Sequence, residues 1–136
     1  MSIRALYDTN VIVSGILSKG TPRSLMDAAI RGDVDLVSSP HLLRELEELL
    51  ARKFGFSEAS AATIRQEMEQ LAEVVVPEQV PRVCRDPDDD QVLAMGLAGG
   101  VGYIVTGDGD LLVLDSFEGI QIVQPAAFAA ELATDL

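Results

Sequence analysis

Arg85-Asp86-Pro87-Asp88-Asp89-Asp90, running on as Gln91-Val92-Leu93-Ala94-Met95-Gly96-Leu97-Ala98, reads as a helix whose first turn is crowded with carboxylates. Asp86 at N-cap, Pro87 at the first helical position and Asp89 at the third resemble a capping box with Asp in place of Glu. Gly99-Gly100 supplies the stop. Two unit charges roughly 5 Å apart repel by about 3 kcal/mol at an effective dielectric near 20. A fold that gathers several such groups needs a cation, a proton or open water to relieve them.

Outward from this helix the chain alternates short apolar runs with helical patterns. Residues 74–76 and 101–105 read as the strands on either side of it, with 78–84 as a connection. Residues 3–7 form a first strand that breaks abruptly at Asp8-Thr9-Asn10, with Asn10 as a helix cap, and 34–37 a second. Thr21-Pro22 and Ser39-Pro40 are start signals for helices over about 21–32 and 40–52, and Ser57 caps another. Residues 111–114 read as a helical turn, 120–123 as a fifth strand, and Pro125 opens a last helix. Strands separated by helices imply crossover units and a parallel sheet covered on both faces. The expectation is one domain over residues 1–136, a three-layer αβα sandwich around a mainly parallel five-stranded sheet.

Composition narrows the chemistry. The 136 residues are 48% apolar, which suits a globular domain, and no apolar run approaches the length of a membrane span. Lacking a signal-peptide layout and holding a single cysteine, Cys84, the chain is expected in the reducing cytoplasm with no internal disulfide and no thiolate zinc site. The net charge of −12 argues against a broad nucleic-acid footprint. A bound divalent cation, however, reverses the sign of an acidic site locally.

Open parallel sheets place their sites beyond the carboxyl ends of the strands. Asp8 follows the first strand there, and Asp108 and Asp110 follow the fourth in Thr106-Gly107-Asp108-Gly109-Asp110, a stretch that is also good turn chemistry. Counting about 100° per helical residue, Leu93, Ala94 and Leu97 fall within about 60° of Asp90. Asp90 is therefore read as turned to the apolar face and to the strand ends, a ligand candidate, because an uncompensated carboxylate is costly there. Asp88 and Asp89 are read as facing water and tuning the helix dipole. On the helix after Ser39-Pro40, Glu48 opposes the leucine stripe, while Glu45 and Glu47 flank it on two sides and periodicity does not separate them. His41 is the only histidine, so a His-based triad has no support, and Cys84 reads as an apolar filler. No glycine-rich loop leads into Lys-Ser or Lys-Thr.

Tyr7-Asp8-Thr9-Asn10-Val11, Ser39-Pro40 leading to Leu43-Arg44-Glu45-Leu46, Arg85 to Asp90, Tyr103 to Leu111, and Ile122-Val123-Gln124-Pro125-Ala126-Ala127-Phe128 together resemble the PIN domain family of metal-dependent ribonucleases. That family includes the VapC-type toxins of toxin–antitoxin pairs. The resemblance implies an acidic quartet of Asp8, Glu45, Asp90 and Asp108, with Asp110 as a further acid, and so selects Glu45 over Glu47. Thr9, Asn10 and Thr106 match small polar positions around the metal. It further implies Mg²⁺ or Mn²⁺ held by Asp8, Asp90, Asp108 and Asp110, an RNA substrate, a cognate antitoxin and a homodimer. Compared with VapC-type toxins this chain is poor in basic surface. Two other classes fit less of the sequence: a catalytically silent PIN-fold interaction module, and a receiver-like or haloacid-dehalogenase-like phosphoryl-transfer domain. The latter lacks its late lysine here, because the lysines are Lys19 and Lys53.

Overall fold

The computed structural model describes residues 3–135; Met1, Ser2 and Leu136 lie outside it. Six strands and seven helices alternate through the described residues: β1 (Ile3–Tyr7), α1 (Thr9–Leu17), α2 (Thr21–Arg31), β2 (Val34–Ser38), α3 (Pro40–Lys53), α4 (Glu58–Leu71), β3 (Glu73–Val74), α5 (Pro87–Gly99), β4 (Tyr103–Val105), α6 (Gly109–Leu112), β5 (Ser116–Phe117), β6 (Ile120–Val123) and α7 (Pro125–Asp135). They build the expected three-layer α/β architecture around a sheet ordered β3-β2-β1-β4-β6-β5.

All neighbours in this sheet are parallel except β5 with β6. The sixth strand is the addition to the expected five. Asp115, Glu118 and Gly119 have φ of 62°, 47° and 86°, and the last two make the left-handed two-residue turn that a tight hairpin requires. A two-residue strand carries too short a pattern to be read from sequence.

Helix starts follow local chemistry. Ser39 and Ser57 accept from the N–H groups of Leu42 and Ser60, and Gly32 ends α2 in the left-handed conformation at φ 88°. The first helix departs from expectation: its cap is Asp8 rather than Asn10, and Asp8 Oδ1 accepts from Thr9 N at 2.8 Å. Thr21 likewise lies inside α2, whose cap position is Gly20.

The core forms on both faces of the sheet. Tyr7 on one face donates its hydroxyl to the Leu25 carbonyl at 2.9 Å and meets the edge of Phe128, so α2 and α7 cover that side. On the other face α5 lies close over Leu6, Val37, Ile104 and Ile120, all buried. Two glycines make this approach possible. A Cβ on Gly99 would stand 2.5 Å from Val37 Cγ1, and one on Gly96 would stand 3.0 Å from Ile104 Cδ1. The strand order reverses between β1 and β4, so the carboxyl ends of these neighbours form the topological switch point. None of the described helices is long and apolar enough to cross a membrane.

Candidate metal centre

The switch point carries acids from both of its strands and from two helices. Asp8 leaves the end of β1 and its backbone N–H still donates to the Val105 carbonyl at 2.9 Å, which ties it to β4. Its carboxylate is buried. Oδ1 is held by Thr9 N, and Oδ2 accepts from the Thr106 hydroxyl at 2.8 Å. The same Thr106 oxygen accepts from Asp108 N at 3.0 Å. One side chain with no exposed surface thus locks the acids after β1 and β4 to each other. Asp108 in turn caps α6, its Oδ1 accepting from Asp110 N at 2.9 Å.

The acidic helix turns a different residue to the pocket from the one expected. Asp90 is buried, but Oδ1 accepts from the backbone N–H groups of Val83 and Cys84 at 3.0 and 2.8 Å. It faces the 75–86 connection, away from the strand ends, and the Cys84 amide followed by that of Val83 holds its pKa below the usual carboxylate range against the opposing effect of burial. Asp89, expected in water, is 6% exposed and offers a carboxylate oxygen within 4.8 Å of those of Asp108 and Asp110. This orientation of α5 has a packing cause. The side of α5 that meets the sheet runs through Asp89, Val92, Leu93, Gly96 and Gly99, whereas Leu97 is 39% exposed. A helical wheel weighted by side-chain hydrophobicity places that face one residue too far, because the closest contacts are made where glycines have no side chain.

The remaining acids divide as their elements dictate. Asp86 caps α5 by accepting from Asp88 N at 2.9 Å, and Asp88 is exposed, both as expected. Glu45 and Glu47 are separated by partners: Glu47 pairs with Arg65 of α4, while Glu45 faces a pocket of about 170 Å³. Asp8, Thr9, Asn10, His41, Glu45, Asp86, Asp88, Asp89 and Asp108 line this pocket, with Leu42, Val92 and Met95 beneath. His41, unassigned from sequence, lies 4.0 Å from both Glu45 and Asp88. Its position in the first turn of α3, beside Ser39-Pro40, is the signal that could have placed it at this rim. Asp110 stands at the outer edge, where its Oδ1 accepts from Arg85 at 3.0 Å.

Electrostatics mark Asp89 as the strained member. Burial first, then the hydrogen bond and charge of Asp108, push its pKa up to about 7, with Asp86 and Asp110 adding to the shift. Its Oδ2 is buried without a hydrogen-bond partner among the described residues, and so is Thr9 Oγ1. Asp8 is raised as well, chiefly by burial, with Glu45 and Asp108 adding repulsion and the bonds from Thr106 and Thr9 opposing it. An orphaned carboxylate oxygen among like charges is what a hard cation satisfies, and an all-oxygen donor set suits Mg²⁺ or Mn²⁺. By contrast Cys84 is no thiolate nucleophile, since burial and then Asp90 push its thiol up to about 11.

The sequence model of the PIN domain family matches residues 4–110, most of the chain and all of these acids. The chain belongs to the PIN domain family. Members of that family are commonly metal-dependent nucleases, and the acidic cluster around the buried Asp89 fits the divalent ions they use. The fold of this PIN domain resembles the crystal structure of PAE2754 from Pyrobaculum aerophilum, with a TM-score of 0.62 at 14% identity. The alignment covers 97% of this chain and 90% of that one, a likeness of fold. No curated protein matches the sequence.

Proposed function

We propose that this PIN domain is a metal-dependent endoribonuclease, hydrolysing phosphodiester bonds in single-stranded or looped RNA. The observation that carries the reading is the buried Asp89, which leaves its Oδ2 without a partner among the described residues and forms a carboxylate trio with Asp108 and Asp110, beside Asp8. Asp8, Asp89, Asp108 and Asp110 would hold Mg²⁺ or Mn²⁺, which when bound acidifies water and steadies negative charge on the phosphate.

The chain's own residues do the rest. The Thr106 hydroxyl favours the ionised form of Asp8 against the effect of burial and directs its carboxylate while fixing the Asp108 backbone. Glu45, contributed to the pocket lining by α3, takes the proton of the attacking water. Water adds to phosphorus as the bond to the 3′ oxygen breaks, and the departing oxygen takes a proton from solvent, leaving a 5′-phosphate and a 3′-hydroxyl. The accessible backbone of unpaired RNA suits an open pocket of this size.

The resemblance to VapC-type toxins extends the proposal to a toxin component, a cognate antitoxin, a homodimer and the cytoplasm. The test is cleavage of single-stranded and stem-loop RNA by the pure protein with Mg²⁺ or Mn²⁺, against chelator and Asp8→Asn. Metal-dependent cuts with 5′-phosphate ends, absent in the variant, are expected. A wild-type protein that binds Mn²⁺ yet cuts no RNA would favour a silent interaction module instead.

A further inference from the structure

The acid-lined pocket sets a charge problem for an RNA substrate. Asp8, Glu45, Asp86, Asp88, Asp89 and Asp108 surround it, and each phosphodiester adds another negative charge. One divalent cation leaves this wall net negative. A guanidinium at the rim relieves the mismatch, because its planar fork donates two parallel hydrogen bonds to a phosphate.

Arg85 is such a group. Its side chain is 88% exposed, and Nη2 donates to Asp110 Oδ1 at 3.0 Å. That carboxylate also belongs to the trio with Asp89 and Asp108. The main chain beside Arg85 is pinned on both sides: Asp90 holds the amides of Val83 and Cys84, and Asp86 caps α5. The backbone is fixed while the side chain leans on one exposed oxygen, and exposed pairs of this kind contribute little and exchange readily.

We propose that Arg85 is a substrate-binding residue: resting on Asp110 without RNA, it transfers to a phosphate oxygen of the strand when a divalent cation takes Asp110. Asp90 is the positioning residue for its backbone. The inference rests on the ribonuclease reading. Cation and guanidinium compete for the same carboxylate, so metal loading frees Arg85 for the substrate.

The test pairs two titrations on wild type, Arg85→Ala and Arg85→Lys. One measures binding of a labelled single-stranded RNA by fluorescence anisotropy, with Ca²⁺ replacing Mg²⁺, over a range of salt. The other measures Mn²⁺ affinity by electron paramagnetic resonance. Arg85→Ala is expected to bind RNA about tenfold more weakly, with a log–log salt slope shallower by about 0.7, the value of one single-strand phosphate contact. Its Mn²⁺ affinity should equal or exceed that of wild type, and Arg85→Lys should fall between the two in RNA affinity. Were Arg85→Ala to lose its fold, Arg85→Lys carries the comparison alone: weaker RNA binding at undiminished Mn²⁺ affinity supports the role, and equality with wild type overturns it. Wild-type RNA affinity and salt slope in Arg85→Ala overturn the role of Arg85 and leave the nuclease reading standing. A joint loss of Mn²⁺ and RNA affinity in that variant marks Arg85 as structural support and overturns it too. A wild-type protein that binds neither Mn²⁺ nor RNA overturns both.

Discussion

The Asp8 carboxylate and the Thr106 hydroxyl, 98 positions apart in the chain, meet at 2.8 Å in the interior between β1 and β4. Because that hydroxyl also accepts from Asp108 N, it couples two acids that belong to different strands. Thr106→Val keeps the shape and removes both bonds. It should destabilise the fold by about 1–3 kcal/mol, the cost of leaving buried polar groups unpaired, and weaken Mn²⁺ binding about tenfold. Thermal melts and a Mn²⁺ titration check it; wild-type values in both would show that the lock is dispensable.

Asp89 makes metal affinity and stability depend on pH. Its folded pKa of about 7 lies above the ordinary carboxylate value, so the metal-free native state binds more protons than the unfolded chain between about pH 4 and 7. The stability this contributes is complete below the unfolded pKa and is lost as pH rises through the folded one. Asp8, also raised, acts in the same direction. Asp90, whose pKa is lowered, acts the opposite way, losing its contribution only as pH falls through the acid range. The metal-free Tm should therefore fall from pH 5 to pH 7.5, and Asp89→Asn should flatten that slope. Over the same interval Mn²⁺ affinity of the wild type should rise as the proton leaves Asp89. A metal-free Tm that climbs through this window contradicts the assignment.

Glu45 and Glu47 differ by partner, and their variants should differ by consequence. Glu45→Gln should abolish most RNA cleavage, on the order of 10²-fold or more for loss of a proton acceptor, with Tm little changed. Glu47→Gln removes a contact to Arg65 between α3 and α4 and should leave the cleavage rate unchanged. Equal losses of rate in both variants would remove the reason for placing Glu45 in the chemistry.

Packing beneath the site is tested by Gly99→Ala. The added methyl would stand 2.5 Å from Val37 Cγ1, so α5 or β2 must shift. Overpacking of this kind costs about 1–3 kcal/mol, and the displacement carries Asp89 with the helix. A lower Tm together with weaker Mn²⁺ binding is expected; a variant as stable as wild type would show that α5 does not rest on Val37.

Much of this arrangement was legible in the chain. Asp8 and Asp108 could be placed because each follows an apolar run, Asp8 directly and Asp108 after Thr106-Gly107, and strand ends converge in a parallel sheet whatever the details. The Ser39-Pro40 start and the Asp86 cap are local signals, readable without tertiary knowledge. Asp89 was not legible because α5 is apolar nearly all round and rests on the sheet through Gly96 and Gly99. Helical periodicity weighs side chains, and glycine contributes none. The choice between Glu45 and Glu47 depended on Arg65 of a different helix, and the hairpin of β5 with β6 on two residues and two left-handed φ angles.

Asp89, rather than its neighbour Asp90, is proposed to join Asp8 and Asp108 around the cation. Mn²⁺ binding by calorimetry on Asp89→Asn and Asp90→Asn tests it most directly. Asp89→Asn should lose Mn²⁺ affinity by tenfold or more while its metal-free form melts higher than wild type above pH 7, since a repelling charge is gone. Asp90→Asn should keep Mn²⁺ affinity near that of wild type and melt several degrees lower, having weakened its hold on Val83 and Cys84. Loss of Mn²⁺ binding in Asp90→Asn with retention in Asp89→Asn would contradict the account.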